Sequence, residues 1–286
     1  MNNWRRLKLS LPLLISFVIL AVALASFLFY PMPSVLTAQA TNEIELRNLT
    51  WVEVRSLLQS GKSSIIIPTA GIEQNGPHVV LGKHGHVVRG AALAIANELG
   101  NALVAPTIEN VPEGNVDPPT GHMRYAGTVS IPEEVFEQIL EHTARSFKIH
   151  GFKTMLFIGD SGGNQNAQNK IAKKLHREWQ NQGVSVFHID DYYSRNGQIE
   201  WLKRNGYTSR QIGTHAGMRD TSELLFVFPE GVRQDLLDLP QTPNTEPTGS
   251  SGDPSLASAE IGEIMLQLKI QSAVKQIRVL TNLDSN

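Results

Sequence analysis

The chain has 286 residues, enough for one large domain or two small ones. A formal net charge of −2 with no basic stripe argues against a nucleic-acid partner. Cysteine is absent, which excludes disulfides, thiolate metal sites and a cysteine nucleophile.

The N-terminal segment stands apart. Arg5, Arg6 and Lys8 give a positive start, and residues 9–30 are apolar apart from Ser10, Pro12, Ser16 and Ser26. About 20 apolar residues span a bilayer, so this run is long enough for an anchor. Ala38-Gln39-Ala40 reads as a small-residue cleavage site, so a cleaved signal peptide stays open as well. Either sends the remaining chain across the membrane, because the positive end stays inside. The expected organisation is a signal peptide or membrane anchor over 1–40 and one domain over 41–286. The location expected is periplasmic or extracellular, with membrane contact through the N-terminal segment only.

Strand-like and helix-like segments then alternate. Thr50 with Glu53 resembles a capping box opening a helix that ends near Gly61. Residues 64–68 are a short β-branched run suited to a buried parallel strand. Helical periodicity covers 84–99 and stops at Gly100. A strand is expected at 102–105, a Pro/Gly-rich loop at 106–128 and a helix from about 132 to 150. Residues 154–158 form a strand, 164–181 a helix and 184–189 a strand. Helices are expected near 194–205 and 220–228, a surface loop over 240–254 and a last helix over 255–276. This alternation predicts an α/β domain with a mainly parallel sheet flanked by helices. Ligands in such folds bind beyond the carboxyl ends of the strands, here the loops 69–82 and 159–164.

Those loops hold the chemistry. The first contains Glu73-Gln74-Asn75-Gly76-Pro77-His78 and then Lys83-His84-Gly85-His86. Glu73 and His84 supply an oxygen and a nitrogen of the kind Zn²⁺ or Mn²⁺ accepts. The second reads Gly159-Asp160-Ser161-Gly162-Gly163-Asn164 and runs into a helix. Its glycines allow backbone N–H groups to converge on an anion, and Asp160 is a metal-ligand candidate. The same loop fits the Gly-x-Ser-x-Gly elbow of serine hydrolases, with Ser161, Asp190 or Asp191, and His215 in matching order. A third block, Thr214-His215-Ala216-Gly217-Met218-Arg219-Asp220, places a histidine before a helix, where it can move protons near neutral pH. Asp220 with Glu223 also reads as a capped helix start. His122, in the long loop, is a candidate pocket residue.

Taken together these blocks resemble the creatininase (creatinine amidohydrolase) family. The resemblance rests on Pro68, the stretch Glu73 to His78, Leu81-Gly82-Lys83-His84, Gly127-Thr128, the 159–164 loop, His215 to Ser222 and Gly252-Asp253-Pro254. It implies a three-layer sandwich hydrolase with one or two divalent ions (Zn²⁺, Mn²⁺ or Fe²⁺), acting on cyclic amides or other small C–N bonds, and a homo-oligomer. The family's ligand positions fall on Glu73, Asn75, His84 and Ser161, of which only Glu73 keeps the family residue, and its third-block glutamate falls on Asp220. The ligand set expected here is therefore Glu73, His84, Asp160 and Asp220. His215 matches a position associated with catalysis. Ser161 and the N–H groups of Gly162 and Gly163 are expected at the developing oxyanion. Asn75, His78, His122, Gly162, Gly163 and Asn164 are expected to line the substrate site.

The leading reading is a metal-dependent amidohydrolase cleaving a small polar amide with metal-activated water. The alternatives are a serine hydrolase using Ser161 with His215, and a non-catalytic binding protein on the same fold.

Overall fold

The strand β1, Ser64–Thr69, is buried at all six positions. Its Ile65-Ile66-Ile67 run suits a strand covered on both faces. Three more strands join it: β2 (Ala102–Val104), β3 (Thr154–Gly159) and β4 (Ser185–His188). The sheet order is β2-β1-β3-β4, and every pairing is parallel. Ile66 faces Val104 on one side and Leu156 on the other. The structure, a computed structural model, describes residues 42–238 and 248–282. The expected signal or anchor segment and much of the expected 240–254 loop lie outside the described residues. Among the described residues no helix is long and apolar enough to cross a membrane.

Helices alternate with the strands: α1 (Trp51–Gln59), α2 (Lys83–Leu99), α3 (Glu133–Ile149), α4 (Gln165–Trp179), α5 (Gln198–Arg204), α6 (Ser209–Ile212), α7 (Met218–Val227) and α8 (Ala259–Thr281). The capping box is present: Thr50 Oγ1 accepts from Glu53 N, and the Glu53 carboxylate accepts from Thr50 N. The chain steps outward from β1 to β2 through α2, and outward the other way from β3 to β4 through α4. Right-handed crossovers then place α2 and α4 on opposite faces of the sheet. Helices α2, α7 and α8 pack together, and α3 packs on α4.

This topology fixes where a ligand can sit. Strands β1 and β3 are neighbours from which the chain departs in opposite directions, so their following loops part and leave a crevice. Two hydrogen bonds clip the strand ends to the helix beyond them. Thr69 Oγ1 accepts from Asn164 Nδ2 at 2.8 Å and from Gln168 Nε2 at 2.5 Å.

Two boundaries differ from the sequence reading. The last helix begins at Ala259, where the Ser258 hydroxyl accepts from Ile261 N, and it runs on to Thr281. Pro254–Leu256 forms only a 3₁₀ turn before it. Helix α7 begins at Met218, so Asp220 is not the cap residue. It sits in the first turn, and its Oδ2 accepts from Ala216 N at 2.8 Å.

Candidate active site

A cavity of about 660 Å³ opens at the β1/β3 crevice. Glu73, Lys83 and His84 come from the segment after β1, Asp160, Ser161, Gly162 and Gly163 from the loop after β3, and His215, Arg219 and Asp220 from the α7 approach. Lys269 enters from α8.

His84 is the hub. Its Nε2 lies 2.6 Å from Glu73 Oε1 and its Nδ1 lies 2.9 Å from Asp160 Oδ2. Burial and the neighbouring Lys83 oppose protonation, but the two carboxylates win and raise the imidazole above its ordinary value. Glu73 is likewise opposed by burial, yet the hydrogen bond and charge of His84 hold it well below the carboxylate range. Asp160 is held low against burial by the charge of Lys269 and by His84. The Lys269 ammonium donates to Asp160 Oδ1, which also accepts from the Tyr192 hydroxyl at 2.9 Å, and lies 3.3 Å from Glu223 Oε2. Gln198 Nε2 donates to the other Glu223 oxygen at 2.5 Å. Asp220 pairs with Lys83 at 3.7 Å and Arg219 at 3.2 Å. The buried carboxylates Glu73, Asp160, Asp220 and Glu223 are thus matched by His84, Lys269, Lys83 and Arg219.

The expected ligands stand in this charge network and do not converge on one point. Both nitrogens of His84 are already committed, with Glu73 on one side of the ring and Asp160 on the other, so one ion cannot meet all three. Asp160 and Asp220 face ammonium and guanidinium groups. A different trio converges: one donor atom each from Glu73, His122 and His215 lies within 4.8 Å of the others. His122 Nε2 is 3.4 Å from Glu73 Oε2, His215 Nδ1 is 3.9 Å from Glu73 Oε1, and the two rings lie 4.6 Å apart between centroids. His215 Nε2 donates to the Gln74 carbonyl at 2.8 Å, which leaves the Nδ1 lone pair toward Glu73. Burial lowers the His215 pKa and keeps the ring neutral, as a ligand requires. His122 Nδ1 meets Gln74 Nε2 at 2.9 Å. The same amide donates to the Gly249 carbonyl and its oxygen accepts from Gly76 N, so Gln74 fixes the orientation of the His122 ring. Carboxylate oxygen and two imidazoles form a donor set that fits Zn²⁺ or Mn²⁺.

Glu113, which sequence reading passed over, belongs to the site. It lines the cavity from the 106–128 loop, beside Glu73 and Ser161. Burial and the Glu73 charge push its carboxyl up to about 10. Two glycines make room for it. A Cβ on Gly71 would stand 1.8 Å from Glu113 Oε1, and one on Gly163 would stand 2.5 Å from the Pro112 carbonyl oxygen. The signal available in the sequence was the length of that loop, which did not single out one carboxylate.

Other expected lining residues do not reach the cavity. His78 is buried, with Nε2 3.0 Å from the Ala216 carbonyl and 3.1 Å from Thr221 Oγ1. Asn75 donates to the Glu73 carbonyl and Asn164 to Thr69 Oγ1, and neither side-chain oxygen has a partner among the described residues. These three shape the loops from behind. His122, Gly162 and Gly163 do line the cavity. The serine-hydrolase triad is not assembled: Asp190 and Asp191 pair with Arg195, and no hydrogen bond joins Ser161 to His215 among the described residues.

The family model described as creatininase, creatinine amidohydrolase, matches residues 47–277. A mycofactocin precursor peptide peptidase of Mycobacterium ulcerans (strain Agy99) is 26% identical over 245 residues, covering 78% of this chain and 87% of that protein. A creatinine amidohydrolase of Pseudomonas putida is 22% identical over 248 residues, covering 80% and 94%. A solved structure named creatininase Mn superposes with a TM-score of 0.67 at 21% identity, covering 82% of this chain and 98% of that one. With most of its length matched by one family model and its fold shared with solved members, the chain belongs to the creatininase family.

Proposed function

We propose that this protein is a metal-dependent hydrolase of small polar amides, with the ion held by Glu73, His122 and His215. The observation that carries the reading is the convergence of these three donors inside the cavity at the β1/β3 crevice. A divalent ion there supplies Lewis-acid polarisation of the scissile carbonyl and a low-pKa water.

The chain's own residues supply the rest. Glu73 and Glu113 are neighbouring carboxyls whose surroundings drive their pKa values apart, leaving Glu73 ionised, as a ligand requires, and Glu113 protonated. Glu113 lines the cavity beside Glu73, protonated at neutral pH in the metal-free protein, and is placed to pass a proton to the leaving nitrogen. Ser161, Gly162 and Gly163 line the same cavity, and this reading assigns their hydroxyl and N–H groups as the donors for the carbonyl oxygen as charge grows on it. In this reading His215 serves as a ligand rather than a proton carrier.

The relatives named as an amidohydrolase and a peptidase both act on C–N bonds, which supports that reaction class. The basic start and apolar run of residues 1–40 support an exported protein, and the family resemblance supports a homo-oligomer. The test is metal analysis of the purified protein together with hydrolysis of a panel of cyclic amides and short peptides before and after chelation. Activity that survives complete metal removal and disappears with Ser161→Ala would establish the serine-hydrolase reading instead.

A further inference from the structure

Asp220 separates two cations that are not fully used. Lys83 is 1% exposed, yet its Nζ makes no hydrogen bond among the described residues; its nearest opposite charge, Asp220 Oδ2, stands at 3.7 Å. Arg219 approaches the other oxygen, Oδ1, with Nε at 3.3 Å and Nη2 at 3.2 Å. Its Nη1 has no hydrogen-bond partner among the described residues. Both cations line the cavity, as does Tyr193, whose hydroxyl lies 3.1 Å from where a Cβ on Gly162 would be. Lys269 is shared by Asp160 and Glu223, so the charges of the whole network balance, but around Asp220 the two cations keep N–H donors that no protein acceptor takes up among the described residues.

We propose that Lys83 and Arg219, flanking Asp220, form a subsite for a carboxylate carried by the substrate. The inference deepens the hydrolase reading and rests on it for the words "substrate" and "amide". The Lys83 ammonium and the free edge of the Arg219 guanidinium present N–H donors suited to carboxylate oxygens. The substrate class is then an amide bearing a carboxylate near the scissile bond, as in an N-acyl amino acid or the C-terminal end of a peptide. A neutral cyclic amide leaves both cations unused.

Calorimetric titration with N-acetylglycine and with N-acetylglycinamide, which lacks the charge, tests this. Each is added to full-length protein stripped of metal and to the same protein loaded with Zn²⁺. The expected result is about tenfold tighter binding of N-acetylglycine in both states, with the difference removed by Arg219→Gln and largely kept by Arg219→Lys. Lys83→Gln carries the same expectation should Arg219→Gln fail to fold by circular dichroism. Equal binding of the two probes, or binding of neither at millimolar concentration, overturns the proposal. So does a preference that exists only with Zn²⁺ and survives Arg219→Gln, since the carboxylate then sits on the ion. Failure of Zn²⁺ to bind, with the preference intact in stripped protein, counts against the hydrolase reading and leaves the carboxylate subsite standing.

Discussion

His84 Nε2 lies 2.6 Å from Glu73 Oε1 with both groups buried, so the imidazole is a fixed bridge and not a free ligand. Its other nitrogen binds Asp160. Removing one partner of a buried ion pair strands the other and costs about 3–5 kcal/mol. His84→Ala is therefore expected to lower unfolding free energy by about 3 kcal/mol or more in urea titrations of metal-stripped protein. A change of a few tenths would show that His84 is dispensable to the charge network.

Lys269 has the same standing toward Asp160 and Glu223. Lys269→Met is expected to destabilise by a comparable amount, about 3–5 kcal/mol. The double variant with Asp160→Asn should recover part of that loss, because it removes one of the stranded charges. Additive losses in the double-mutant cycle would mean the two residues do not act as a pair.

Metal affinity should follow the trio and not the expected set. His122→Ala and His215→Ala are each predicted to weaken Zn²⁺ binding by about tenfold or more, read by competition with a chromogenic chelator. Asp220→Asn should leave that affinity within a few-fold, because Asp220 faces Lys83 and Arg219. The reverse ranking would return the ion to the other carboxylates.

The metal-free protein should be most stable at mildly acidic to neutral pH. Glu73 and Asp160 are held low in the folded state, so their contribution is present above their ordinary values near 4 and is lost as pH falls. Glu113 acts oppositely. The unfolded chain releases its proton near 4.5 while the folded chain keeps it to about 10, so stability falls as pH rises between them. His84 is raised, so its contribution is full below about 6.5 and fades at alkaline pH. Urea midpoints should fall from pH 6 towards alkaline pH, roughly in step with these titrations, and Glu113→Gln should flatten the fall. An unchanged slope in that variant would remove Glu113 from the explanation.

Much of the fold was legible because periodicity records burial. The Ile65-Ile66-Ile67 run, the capping box at Thr50 and the stop at Gly100 all appear as read. The crevice was legible too, since the β1 and β3 loops follow from strand order. The grouping of the ionisable residues was not. His84 has the residue type of a ligand, and only the positions of Glu73 and Asp160 on opposite sides of its ring reveal a bridge. Lys83 stood out only as a neighbour of His84, and Lys269 lay within the last expected helix, because burial of an ammonium is decided by which distant carboxylates meet it. Glu113 was hidden for a similar reason: its elevated pKa comes from burial and from Glu73, far away along the chain.

Lys269 also sets an order of events during synthesis. Asp160 and Glu223 leave the ribosome before the helix that carries their counter-ion. Until Ala259–Thr281 docks, the nascent chain would have to bury carboxylates without that ammonium, which favours leaving the crevice open to water. The cavity is therefore complete only once α8 has docked, and a fragment ending before α8 should retain the sheet's hydrophobic pattern while lacking a closed site.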